Sequence, residues 1–271
     1  MTAVDRKENE MVGTDLLKAG RLSEALGRVA EEVKAKPGDL AARTFFFELL
    51  LLNGDLDRAA KQLDVLANET GEMGNLYLGA IQAERERRSF FHGGPRPKLL
   101  GDASYASLYL EAVESYAAGQ SATALERLQG IEAHSSLHAL LNGSEVRDLN
   151  DSHDLLGPFL EIVIDNHYAW VPWESIQSLT IPEPRYLRNT VWTPASLSLR
   201  SGDQGQVLVF SLYVDSHLHE EDIKLGRRTI WDQDAAGFTI AYGQKVIATE
   251  ERDWPILEIR SVEVDACRLV A

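Results

Sequence analysis

The stretch Gly20-Arg21-Leu22-Ser23-Glu24-Ala25-Leu26 returns thirty-four residues later as Gly54-Asp55-Leu56-Asp57-Arg58-Ala59-Ala60, and this recurrence narrows the architecture more than any other feature. The same offset carries Leu16 onto Leu50, Leu22 onto Leu56, Ala25 onto Ala59 and Val29 onto Leu63. Thirty-four residues is the tetratricopeptide period, in which two helices joined by a tight turn form a unit and successive units stack. Glycine permits the turn, and the small Ala lets the second helix approach until the larger residue four positions on fills the gap. Leu16, Leu17, Leu22, Ala25, Leu26, Val29 and Val33 recur at spacings of about three and four, the pattern of an amphipathic helix pair. Pro37 ends the first pair and Gly71 stands at the equivalent place in the second. The large aromatic of the usual pattern is absent near Met11, so the units are tetratricopeptide-like and not consensus repeats.

A further helix is predicted through Leu76, Tyr77, Ala80, Ile81 and Glu84, stopping in Phe90-Phe91-His92-Gly93-Gly94-Pro95-Arg96-Pro97. Another hairpin follows about Gly119, off the thirty-four-residue register because of that loop. From about Gly157 the period changes. Phe159 to Ile164 and Tyr168 to Val171, joined by Asp165-Asn166-His167, read as two strands and a tight turn. Further strands are predicted at Ser196 to Arg200, Val207 to Tyr213, Phe238 to Ala241, Lys245 to Thr249 and Ile256 to Val264. The first and last alternate apolar and polar residues, as in a sheet with one wet face. The polar stretch Asn142 to Asp154 reads as a boundary. The expected organisation is a tetratricopeptide-like α-α superhelix over 1–145 and an α+β domain with a mostly antiparallel sheet over 155–271.

Lys+Arg number 27 and Asp+Glu 42, a net charge of −15, and neither half of the chain is basic. Such a chain is repelled by phosphate backbones and anionic lipid, so neither nucleic acid nor membrane is an expected partner. Cys267 is the one cysteine, which excludes an intramolecular disulfide and a multi-thiolate zinc site. The strongest apolar run, Phe45 to Leu52, is interrupted by Glu48 and is too short to span a bilayer. Met1 to Glu10 carries charges of both signs and no signal-peptide core. A reducing, cytoplasmic setting is expected.

The common signatures of phosphate loops, dinucleotide sites, serine elbows and zincin helices are missing, and no cofactor is expected. The best metal candidate is His217-Leu218-His219-Glu220-Glu221-Asp222, because imidazoles at i and i+2 of a strand point the same way. A metal-dependent hydrolase using His217 and His219 is therefore the competing reading; a solvated, charge-rich loop is the plainer one. His134 and His138, with Glu132 nearby, share a helix face but read as an exposed helix end. Phe91-His92-Gly93-Gly94 is similar to an oxyanion loop but has no serine elbow, and reads as a mobile insertion. Cys267 reads as a small core residue, and Arg85, Arg87 and Arg88, alternating with Glu84 and Glu86, as a solvated helix end.

Phe45-Phe46-Phe47-Glu48-Leu49-Leu50-Leu51-Leu52 is too apolar for a helix that buries a single stripe. Either neighbouring helices cover both sides, or Thr44, Glu48, Leu51 and Leu52 line a groove for a partner segment, as stacked helical hairpins provide.

Several stretches together resemble the ImpE family, also called TagJ or SciE-type proteins. They are Phe45 to Leu50, Asn53 to Ala59, Gln62 to Leu66, Gly93 to Pro97, Trp170-Val171-Pro172-Trp173-Glu174-Ser175-Ile176, Pro184 to Arg188, Trp192 to Ala195, Leu225-Gly226-Arg227 with Trp231-Asp232, and Glu258 to Ser261. Ile181 to Pro184 and Arg228 to Ile230 are looser. The resemblance implies a non-enzymatic cytoplasmic accessory protein of type VI secretion systems, associated with the small subunit of the contractile sheath and linked to the AAA+ unfoldase that recycles it. It is compatible with a groove that captures an amphipathic sheath helix through Thr44, Glu48, Leu51 and Leu52. Trp173 is the candidate anchor in the second domain, its alternative being a core tryptophan with a satisfied indole N–H. A general scaffold for unstructured peptides is the third reading.

Overall fold

The structure, a computed structural model, describes residues 12–70, 72–129, 131 and 137–265. His134 and Cys267 lie outside them. The helical part comprises α1 (Gly13–Lys18), α2 (Leu22–Ala35), α3 (Leu40–Leu52), α4 (Leu56–Thr70) and α5 (Glu72–Phe91), then α6 (Ala106–Ala117) and α7 (Ser121–Gln129). Gly20 (φ +80°) and Gly54 (φ +77°) make the two tight turns that the thirty-four-residue recurrence predicts, and Gly119 (φ +75°) makes the turn of the hairpin read off that register. Left-handed backbone is open to glycine at little cost, which is why the helices break there. Leu16, Leu22, Ala25 and Val29 of the first unit and Leu50, Leu56, Ala59 and Leu63 of the second are all buried, so the thirty-four-residue correspondence is one of packing as well as of sequence. Asp39 starts α3 by accepting a 3.0 Å hydrogen bond from the Ala42 N–H.

The loop after α5 leads into β1 (Lys98–Leu99). It is pinned, not a free insertion: Gly94 N–H donates to Ser89 O at 2.7 Å, and His92 Nε2 lies 2.9 Å from Asp215 Oδ2. Beyond α7 come β2 (Ala139–Leu141), β3 (Ser144–Val146), β4 (Asn150–Asp151), β5 (Phe159–Ile164), β6 (His167–Pro172), β7 (Ile176–Thr180), β8 (Trp192–Leu199) and β9 (Gln204–Phe210). A short helix α8 (Glu221–Lys224) precedes β10 (Ile230–Gln233), β11 (Thr239–Tyr242), β12 (Val246–Ala248), β13 (Asp253–Pro255) and β14 (Ser261–Val264). Nine strands form one sheet in the order β1-β6-β5-β9-β8-β7-β14-β2-β3, antiparallel throughout except for β1 beside β6. The β5–β6 hairpin turns on Asp165 (φ 49°) and Asn166 (φ 65°), the two left-handed positions of a type I′ turn. Strands β1, β2 and β3 come from before residue 155, so the sheet begins earlier in the chain than the polar stretch suggested.

Ile256 to Val264 is not one strand. A 3₁₀ turn occupies Ile256–Glu258 and the strand starts at Ser261. The same device occurs eighty-three residues earlier: Val171-Pro172-Trp173-Glu174-Ser175-Ile176-Gln177-Ser178-Leu179 aligns with Trp254-Pro255-Ile256-Leu257-Glu258-Ile259-Arg260-Ser261-Val262. Pro172 (φ −59°, ψ 135°) and Pro255 (φ −58°, ψ 132°) each open a single 3₁₀ turn. The residue after each proline donates back across its hairpin at 2.9 Å, Trp173 to Pro158 O and Ile256 to Lys245 O. The strands that follow, β7 and β14, are antiparallel neighbours with Leu179 opposite Val262. The two copies of the device therefore meet at β7 and β14, although β6 lies in the nine-stranded sheet and β13 in a separate three-stranded one with β12 and β4.

One face of the sheet shares a core with the helices, from Leu16 through Phe47 and Ala80 to Trp170, Trp192 and Phe238. The other face closes over a second core containing Trp173, Ile176, Val209, Trp254 and Val262. Among the described residues no helix is long and apolar enough to cross a membrane.

Candidate functional site

The apolar surplus of α3 is covered by the chain's own second half. Glu48, 7% exposed, accepts from Arg188 Nη1 at 2.6 Å. Arg188 comes from a 3₁₀ turn just ahead of β8, and its guanidinium stacks 4.0 Å from the Tyr186 ring and 5.2 Å from Tyr77. Burial raises the Glu48 pKa despite Arg188. Leu51 and Leu52 face Val191, Trp192 and Leu212 around a cavity of about 30 Å³. Trp173 is buried in the second core, and its Nε1 meets no acceptor among the described residues. Glu48, Leu51, Leu52 and Trp173 are thus interior, because covering this apolar area within the chain removes it from water without a partner. Thr44, half-buried, bonds Leu40 O at 2.8 Å through its hydroxyl. The helical stripe 48, 44, 40 runs out from beneath the sheet to Leu40, which is 41% exposed.

Beside this contact lies a buried ionic centre that the alternation of charges at 84–88 did not suggest. Arg87, far from solvated, is 2% exposed and grips Glu161 of β5 with two 2.8 Å bonds, while its third contact is Leu212 O at 3.0 Å. Lys245 Nζ lies 2.8 Å from both Glu161 and Asp151. The Tyr168 hydroxyl donates to Glu161, and Tyr213 OH to Asp151 at 2.8 Å. Glu84, also buried, bonds Arg88 Nε at 2.8 Å, and Arg88 donates to Gly54 O at 3.1 Å. Three cations and three carboxylates are matched, as burial demands. Burial opposes charge on Glu161, but Arg87 and Lys245 outweigh it and hold its pKa well below the ordinary carboxylate range. Burial raises Asp151, and it lowers His153 to about 3, aided by Lys245. The available signal was a lone charge inside an apolar run, Glu161 in Phe159-Leu160-Glu161-Ile162-Val163-Ile164 and Lys245 before Val246-Ile247-Ala248. The arrangement locks α5 to the sheet; its groups are spent on one another.

His217 and His219 do not share a strand face. Ser216–Leu218 is a 3₁₀ turn entered by Asp215 at φ 63°, which separates the rings. The half-buried His217 ring packs on Gly54, and burial lowers its pKa. His219 lies on the Tyr242 ring, with centroids 4.0 Å apart. No group of three or more His, Cys, Asp or Glu among the described residues is arranged to hold a metal ion.

The excursion carrying these histidines instead clamps both repeat turns. Arg227 donates to Leu17 O at 2.7 Å and Lys18 O at 3.1 Å, completing the end of α1 beside Gly20, and Glu221 accepts from Ser23 N–H at 2.7 Å. Lys224 Nζ reaches Asn53 Oδ1 at 3.2 Å beside Gly54.

Residues 143–263 match the family model described as ImpE protein. The type VI secretion system accessory component TagJ of Pseudomonas aeruginosa is 31% identical over 262 residues, covering 94% of this chain and 92% of that protein. The chain belongs to the ImpE/TagJ family. The crystal structure of protein VPA1032 from Vibrio parahaemolyticus superimposes with a TM-score of 0.85 at 27% identity, over 93% of this chain and 97% of that one. The ImpE match takes in β3 to β13 whole, and with them Glu161 and Lys245 of the ionic centre, whereas Arg87 is supplied by the helical part.

Proposed function

We propose that the chain is a non-enzymatic accessory component of a bacterial type VI secretion system, working by holding other proteins. The carrying observation is its 31% identity to TagJ over 94% of its length. In this reading the hairpins form a tetratricopeptide-like superhelix, and the partner is an amphipathic helix of the small sheath subunit, with the sheath-recycling AAA+ unfoldase as a second partner. The partner helix would use the uncovered end of the α3 stripe. Leu40 is 41% exposed there, Thr44 is a turn further in, and Val65 of α4 is 49% exposed. A 2.7 Å bond from Arg43 to Gln62 sets α3 and α4 level, which brings Leu40 and Val65 to the same height on these antiparallel helices. The surplus of carboxylates, 42 against 27 cations, favours basic flanks on the captured helix.

Co-purification with the two sheath subunits and the unfoldase tests this. Wild-type protein should retain the small subunit, and a Leu40→Asp/Val65→Asp variant that stays folded should lose it. A sheath helix broken by proline should be lost as well. Equal capture of intact and proline-broken helix would make the protein a general peptide scaffold, and failure to retain any sheath component would sink the reading.

A further inference from the structure

A cleft of about 540 Å³ lies away from the α3 stripe, between the C-terminal half of α5, the Pro95–Lys98 segment and the start of β6. Its size is that of a ligand site. Pro95-Arg96-Pro97 supplies one wall, so the segment that carries part of the family resemblance has a place in the fold but no role in the reading above.

Its chemistry is lopsided. The cleft's one carboxylate is Glu86, and both its oxygens are used: Oε1 by His167 Nδ1 at 3.1 Å and Gln82 Nε2 at 3.3 Å, Oε2 by the Tyr168 N–H at 3.0 Å. Burial works against that carboxylate, but the Tyr168 N–H, Gln82 and His167 more than compensate and lower its pKa. The donors, in contrast, are not used up. Arg85 spends one nitrogen, Nη2, on Asp57 at 2.6 Å, and Arg96 spends Nε and Nη2 on Glu114 at 2.6 and 2.8 Å. Neither Asp57 nor Glu114 lines the cleft; the exposed, single-bonded Arg85–Asp57 pair is weak and exchangeable, whereas the exposed Arg96–Glu114 pair is bidentate and leaves Nη1 of Arg96 over. Exposed Lys98 has no ion-pair partner among the described residues. With its carboxylate spent, and with Lys98 and the remaining N–H groups of Arg85 and Arg96 left over, this wall accepts anions.

The sheet ends at the cleft. Lys98 belongs to β1, the outermost strand, whose inner edge bonds β6 through Leu100 N–H to Trp170 O at 2.9 Å. Strand alternation turns the Leu99 N–H and C=O outward, unpaired with any other strand among the described residues. An extended peptide can add main-chain bonds to such an edge while its side chains enter the neighbouring cleft. The overall charge of −15 repels any anion, and a long polyanion far more than a short segment with a few carboxylates, which disfavours nucleic acid.

We propose that this cleft binds an extended acidic peptide segment of a partner protein, with Arg85, Arg96 and Lys98 receiving its carboxylates and the open edge of β1 its backbone. The site is separate from the α3 stripe, and neither depends on the other.

The test is fluorescence anisotropy of the full chain at low ionic strength with a labelled peptide of alternating Glu and Leu. The wild type should bind it saturably, and Arg85→Glu/Lys98→Glu should weaken binding by about tenfold or more. Lys34→Glu, a control at an exposed cation of α2, should change it less than about twofold. A peptide with Lys in place of Glu should not bind. No saturable binding by wild type, or an equal loss in the Lys34 control, overturns the proposal. So does displacement of the peptide by inorganic phosphate at concentrations similar to the peptide's own, which would mark a small-anion site. Circular dichroism of each variant keeps loss of fold apart from loss of binding.

Discussion

The His217 side chain lies directly over Gly54: a Cβ added at Gly54 would stand 2.6 Å from His217 Cβ, closer than real Cβ atoms approach. The same glycine adopts φ +77°. One residue thus serves two demands, a left-handed turn between α3 and α4 and a seat for the excursion that precedes β10. Gly20, its counterpart in the first unit, faces Arg227 more loosely: a Cβ added there would stand 3.2 Å from Nη1. The turns of the helical repeat are the points where the second half of the chain is fastened.

Gly54→Ala should therefore cost more than a left-handed alanine alone. Strain of about 1–2 kcal/mol adds to about 1–3 kcal/mol of overpacking. Gly119→Ala, at φ +75° with nothing within 4 Å of its Cβ, should incur the first part only. Urea denaturation of the two variants measures the difference; equal losses would show that the close approach carries no energy.

Arg87→Met removes one of the two cations that hold Glu161 ionised in a fully buried site. The expected loss is about 3–5 kcal/mol, because the remaining charge stays buried and under-compensated. Arg85→Met, two residues away on the exposed side of α5, should stay within about 0.5 kcal/mol of wild type. A loss at Arg87 no larger than at Arg85 would mean that the ionic centre is not what ties α5 to the sheet.

The pH dependence follows from His153 first. Its folded pKa of about 3 lies below the ordinary 6.5, so between these values the unfolded chain binds the extra proton and stability falls as the pH falls. Glu161, also depressed, adds a loss only once the pH drops through the ordinary 4.5 and below. Asp151 is raised and acts in the opposite sense. Denaturant midpoints should therefore decrease from about pH 7 to about pH 5, and His153→Gln should flatten that slope. An unchanged slope in the variant would remove His153 as its source.

Leu51→Asp, at a side chain 4% exposed, should act on the fold and not on one interface. It buries a carboxylate among Leu52, Val191 and Trp192, and a loss above about 3 kcal/mol is expected. Thr44→Arg, at the half-buried edge of the stripe, should leave the melting temperature within a few degrees. A folded Leu51→Asp protein of wild-type stability would show that the sheet does not cover α3.

Much of the architecture is legible along the chain because it is local. Gly20, Gly54 and Gly119 punctuate helices whose apolar spacing is visible, and Asp165-Asn166 between two apolar runs forms the hairpin its residues favour. Even the repeated Pro-turn-strand device can be read from the string once Pro172 and Pro255 are aligned, although two single prolines eighty-three residues apart attract no notice beforehand. What covers α3, and whether a charged side chain is wet or buried, is another matter. Arg87 meets Glu161 at a separation of 74 residues, Lys245 meets Asp151 across 94, and Arg188 meets Glu48 across 140. Periodicity carries no information at those distances. An apolar excess says only that something must exclude water from it, and here the excluding surface is the chain's own sheet, placed by the close approach of α5 and the loops around it.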